Sequence, residues 1–137
     1  MVIFVKIEGR PLVEGKGRGK LLVSKQPISF YGGVDPKTGI VVEPGHELEG
    51  KSIAGKILVF PHGKGSTVGS YILLRLKKNS VAPVGIVNVI SEPIIIIGCL
   101  MSKIPLMDMV EIDVLKSGRL AEIVVKENGA WLEVFDL

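Results

Sequence analysis

Ile57-Leu58-Val59-Phe60-Pro61-His62-Gly63-Lys64-Gly65-Ser66-Thr67, followed by Val68, Tyr71, Ile72 and Leu76, is the stretch whose reading sets the fold. Its first four residues are an unbroken apolar run between Lys56 and Pro61, short enough for a strand buried on both faces. The apolar residues after Thr67 recur at helical spacing. The predicted order is therefore strand, glycine-rich turn, helix. Arg75, Lys77 and Lys78 crowd the far end of that helix, where cations suit the negative end of its dipole.

Working outward, Ile3, Val5 and Ile7 alternate with Lys6 and Glu8 as a half-buried strand requires. Gly15-Lys16-Gly17-Arg18-Gly19 reads as a basic turn before Leu21-Leu22-Val23, and its spacing fits neither GxGxxG nor a Walker loop. Gly85 to Ile90 predicts a further strand. Pro93 suits the first turn of a helix over Ile94 to Lys103, with a strand as the alternative because four isoleucines run together. Val110, Ile112 and Val114 alternate with Glu111 and Asp113, and Asn128-Gly129 is a hairpin signal between Glu122 to Lys126 and Ala130 to Phe135. Three antiparallel strands are expected to close the chain. The class is α+β, rich in strand, with two inserted helices and one domain over residues 1–137.

Composition excludes several functions. With 47% hydrophobic and 23% charged residues among 137, the chain is an ordinary globular one and not a disordered tail. A net charge of +3 with 5% aromatics lacks the stacking platforms of a nucleic-acid binder. The longest uninterrupted apolar run, Ile94 to Met101, is too short to span a bilayer. Cys99, the single cysteine, can neither close an internal disulfide nor supply the several thiolates of a zinc or iron–sulfur site. No secretory signal pattern opens the chain, so a cytoplasmic protein with no nucleic-acid or membrane partner is expected.

The turn that could carry chemistry is Gly63 to Thr67. Free amides before a helix, with Gly63, Gly65 and the charge of Lys64, form a positive concavity for a small anion. A serine hydroxyl aimed into such dipoles, out of water, has its alkoxide favoured, which makes Ser66 the candidate for proton transfer. The competing reading is that Ser66 or Thr67 caps the helix. No GxSxG surrounds Ser66, Lys64 is followed by Gly65 where a Walker loop needs Ser or Thr, and His62 reads as a loop residue. Phe30-Tyr31-Gly32-Gly33-Val34-Asp35-Pro36 is either a surface turn with an aromatic anchor or a loop that approaches a ligand.

Those last residues, with Gly50-Lys51-Ser52-Ile53-Ala54-Gly55-Lys56-Ile57-Leu58-Val59, Gly63-Lys64-Gly65-Ser66-Thr67-Val68-Gly69-Ser70, Ser91-Glu92-Pro93 and Ile104-Pro105, resemble in order the swivel-domain subunit of the aconitase X family. The resemblance implies a swivelling β/β/α barrel that closes over a larger catalytic subunit. It implies Ser66 as proton acceptor, with Lys64, Gly65, Thr67, Tyr31, Gly32 and Gly33 around a small anionic substrate. It also implies a [4Fe-4S] cluster carried by the large subunit, where iron acts as Lewis acid on the leaving hydroxyl, and none on this chain. The reaction implied is dehydration of 5-phosphomevalonate to trans-anhydromevalonate 5-phosphate in an archaeal mevalonate route. Another aconitase X lyase, such as a cis-3-hydroxyproline dehydratase, and a non-catalytic anion-binding barrel are the alternatives.

Overall fold

Ile57, Leu58, Val59 and Phe60 are all fully buried, and they face two different cores. Leu58 and Phe60 join one cluster with Leu22, Ile86 and Leu106. Ile57 and Val59 join a second with Leu21, Val87, Met107, Ile123 and Leu132. Alternation of side chains along a strand produces this division, and a strand apolar on both sides satisfies both clusters.

The computed structural model describes residues 2–135. Its strands are β1 (Ile3–Val13), β2 (Gly15–Val23), β3 (Ile57–Phe60), β4 (Gly85–Asn88), β5 (Leu106–Asp108), β6 (Leu120–Lys126) and β7 (Gly129–Phe135). They close into a barrel in the order β1-β5-β4-β3-β2-β6-β7. Neighbours from β2 through β3 and β4 to β5 run parallel, and the remaining pairs are antiparallel. The second cluster includes residues from strands on both sides of the ring and fills its interior. The first cluster lies outside the parallel strands, where Leu73 and Leu76 of helix α1 (Gly69–Lys78) and Ile95 and Cys99 of helix α2 (Pro93–Ser102) cover it. This is the strand-rich α+β class expected, and the Ile94 to Met101 run is helix, with Pro93 in its first turn.

Two local expectations are corrected. Gly15 to Gly19 is no turn but part of β2, paired with β6 from Gly15↔Val125 to Lys20↔Leu120. The glycines face inward, where a Cβ on Gly17 would lie 2.3 Å from the Val84 carbonyl oxygen and one on Gly19 2.3 Å from that of Gly55. Lys16 and Arg18 point outward to Glu122, at 3.9 and 3.4 Å. The expected strand at Val110 to Val114 is a 3₁₀ turn at Ile112–Val114, and the pairing segment before it is Leu106–Asp108. Val110 and Ile112 are both drawn into the barrel core while Val114 is exposed. Only β6 and β7 therefore form the closing antiparallel pair, since β5 runs parallel to β4.

Candidate active site

The parallel strands β3, β4 and β5 end on one side of the barrel, and buried polar groups tie those ends together. Asp108, fully buried, accepts from Arg10 Nε and Nη2, each at 2.8 Å, and from the Ser91 amide at 2.8 Å. Ser91 Oγ bonds Asn88 Oδ1 at 2.8 Å, and Asn88 Nδ2 donates to the Phe60 carbonyl at 2.9 Å. The hydrogen bond to Asp108, with its charge, raises the Arg10 pKa above its ordinary value. Asp108, Ser91 and Asn88 are thus all hydrogen-bonded, as burial demands. Beyond them, the Gly63 amide donates to Glu92 Oε1 at 3.1 Å, so the start of α2 holds the glycine-rich turn.

A second loop braces that turn from the other side. The Ile28 amide donates to the His62 carbonyl at 3.3 Å, and the Lys64 amide to the Ile28 carbonyl at 3.0 Å. Phe30 is buried edge-on to Phe60, with ring centroids 6.0 Å apart, and anchors the loop to the core. Gly65 has φ +91°, and a Cβ there would lie 2.5 Å from Ser29 Oγ, so both conformation and space call for glycine.

Between the two loops is a depression of about 400 Å³ lined by Ser29, Tyr31, Gly32, Gly33, Glu43, Lys64 and Gly65. The structure thus brings together five of the residues singled out in the sequence. Ser66 follows directly on the lining and is exposed, and Thr67 turns to another depression between the helices. Two lining residues were not anticipated. Glu43 Oε2 lies 3.1 Å from Lys64 Nζ, so the one cation of the depression is already paired, and Ser29 supports Gly65. Glu43 and Lys64 are 21 positions apart, and nothing in the local pattern of either announces the contact.

Ser66 is not the cap of α1. The helix begins at Gly69, its cap position is Val68, and no side chain bonds there. Ser66 Oγ accepts the Val68 amide at 3.2 Å and so closes the turn before the helix. The amides of Gly65, Ser66 and Thr67 donate to no group among the described residues, leaving three consecutive N–H donors in the turn that carries the hydroxyl. His62 bonds the Gly63 carbonyl through Nδ1 at 2.7 Å, and no hydrogen bond joins it to Ser66. Cys99 is fully buried, and burial pushes its thiol pKa up, so it is an inert core residue. Among the described residues no group of three or more His, Cys, Asp or Glu could hold a metal ion.

Residues 6–134 match the family described as the aconitase X swivel domain. The chain belongs to the aconitase X family. An aconitase X crystal structure from Thermococcus kodakaraensis, in its holo form, superposes with a TM-score of 0.92 at 45% identity, covering 96% of this chain and 99% of that one. The phosphomevalonate dehydratase small subunit of Methanosarcina acetivorans is 55% identical, covering 94% of this chain and 97% of its own length. That of Thermococcus kodakarensis is 52% identical over 83% of this chain and 86% of its own. Within the aconitase X swivel domain, the glycine-rich turn therefore sits on a barrel shared with that crystal structure.

Proposed function

We propose that this chain is the small subunit of a two-subunit hydro-lyase that removes water from (R)-5-phosphomevalonate to give trans-anhydromevalonate 5-phosphate, in the cytoplasm and on an archaeal mevalonate route to isoprenoids. The relatives named phosphomevalonate dehydratase small subunit support the substrate. The observation that carries the chemistry is the exposed Ser66 hydroxyl on a turn where three consecutive backbone N–H groups find no acceptor among the described residues. Those dipoles favour the alkoxide once a covering subunit excludes water, so Ser66 Oγ can take the proton α to the substrate carboxylate. Lys64 and the amides of Gly65 and Thr67 grip an anionic group, and Glu43 releases Lys64 as the anion arrives. Tyr31, Gly32 and Gly33 form the opposite wall.

The residues of this chain do not fit an iron–sulfur cluster, since its one cysteine is buried in the core. The [4Fe-4S] cluster is assigned to the large subunit, together with departure of the hydroxyl. The chain alone is accordingly inactive.

The test is an assay of the assembled pair with 5-phosphomevalonate, mevalonate and cis-3-hydroxyproline. A gripped phosphate contributes about 1.5–3 kcal/mol per hydrogen bond to a charged group. Mevalonate should therefore be turned over at least roughly tenfold more poorly than its phosphate. Preference for the imino acid would overturn the substrate assignment.

A further inference from the structure

The ten residues of α2, from Pro93 to Ser102, include no charged side chain. A helix apolar on every side belongs in an interior. Yet only Ile95, Gly98, Cys99 and Ser102 are buried, while Ile97 is 50% exposed and Leu100 57%. Beside it, Val68 and Tyr71 are exposed too, Tyr71 by 62%. Between the helices lies a depression of about 290 Å³ that runs from Thr67 and Tyr71 to Ile97 and Met101 and includes no Asp, Glu, Lys or Arg. Thr67 adjoins Ser66, so this apolar face begins at the rim of the candidate active site.

We infer that the outer face of α1 and α2, centred on Tyr71, Ile97 and Leu100, is the seat of the large subunit. The inference rests on the two-subunit reading above and is independent of what Ser66 does. Two observations choose this occupant over a second copy of the chain. Relatives matched over nearly their whole length are named small subunits, so a larger chain accompanies them. The face is also continuous with a turn whose serine stands open to water and whose one neighbouring cation is already paired, so the rest of the site has to arrive from outside. A subunit seated against Tyr71 and Ile97 reaches Thr67 and shields Ser66, where fixed dipoles act at full strength only without water. Tyr and Met are types that interface cores favour, and the opposing surface is expected to be uncharged.

Leu100→Cys places an accessible thiol on this face, and the native Cys99 beside it is fully buried and does not compete. Maleimide labelling of that variant should be fast in the chain alone and at least roughly tenfold slower when the purified large subunit is bound. A chain carrying both Ile97→Glu and Leu100→Glu should keep its circular dichroism and bind the large subunit roughly 100-fold more weakly or worse. Unchanged affinity in the folded double variant, or undiminished labelling in the complex, would overturn the inference. So would labelling that is suppressed by self-association of the chain alone. Binding is read without turnover, so failure of the serine mechanism and failure of this seat give different results.

Discussion

The Ser66 hydroxyl accepts one amide, on an exposed turn, and the amides of Gly65, Ser66 and Thr67 find no acceptor among the described residues. Ser66, Lys64 and Gly65 could be singled out in the sequence because the turn carries them in immediate succession. Glu43, Ser29 and Glu92 could not, because each reaches the turn across the fold, Glu92 from 29 positions away. Another such long-range bond gives a prediction about pH. Glu47 accepts from Ser24 Oγ at 2.8 Å and from the amides of Lys25 and Gln26, and so fastens the segment that leads into the Ile28 to Gly33 loop. The Ser24 hydrogen bond foremost, then the two amides, outweigh partial burial and hold this carboxyl below the ordinary carboxylate value. A pKa depressed in the folded state gives stabilisation that is present above the unfolded value and lost as pH falls through the folded one. Glu47→Gln should therefore lower the melting temperature at pH 7, and the gap to wild type should close on acidification below about pH 4. A gap that stays constant with pH would reject this role for Glu47.

Among the elements, those whose periodicity and punctuation agree were legible: β3, α1, β4, and the β6–β7 hairpin at Asn128-Gly129. The amino-terminal half of β2 was not, because its inward residues are glycines and hydrophobic alternation is therefore absent. The signal present is alternation of Gly with Lys or Arg, a period of two in size instead of polarity. The Val110 to Val114 segment shows the opposite failure, since its apolar alternation is real but belongs to a turn that plugs the barrel. Helix contact supplies a test at this scale. A Cβ on Gly98 would lie 2.5 Å from Leu73 Cδ1 and 3.2 Å from Ser70 Cα, so α1 and α2 meet closely there. Ser70 Oγ also bonds the Ile94 carbonyl at 2.9 Å. Gly98→Val should force the helices apart and cost about 1–3 kcal/mol of stability in a urea melt. A variant as stable as wild type would show that the contact is loose.

For the molecule as a whole, the mixed barrel explains where the candidate site lies. Parallel strands release their ends together, the Arg10–Asp108–Ser91–Asn88 chain fixes those ends, and the glycine-rich turn leaves from β3 in their midst. Helices cover the parallel half and leave an apolar outer face next to the turn. A rigid barrel offering one half of a site suits a subunit that completes its chemistry on a partner. The most direct test of that account is Ser66→Ala in the assembled two-subunit enzyme, followed by turnover of 5-phosphomevalonate and by thermal melting. The Oγ closes a single exposed hydrogen bond, so stability should fall by no more than about 1.5 kcal/mol and assembly should persist. Turnover should fall by roughly 10²- to 10⁴-fold. Near-normal turnover in a folded, assembled variant would contradict Ser66 as the proton acceptor.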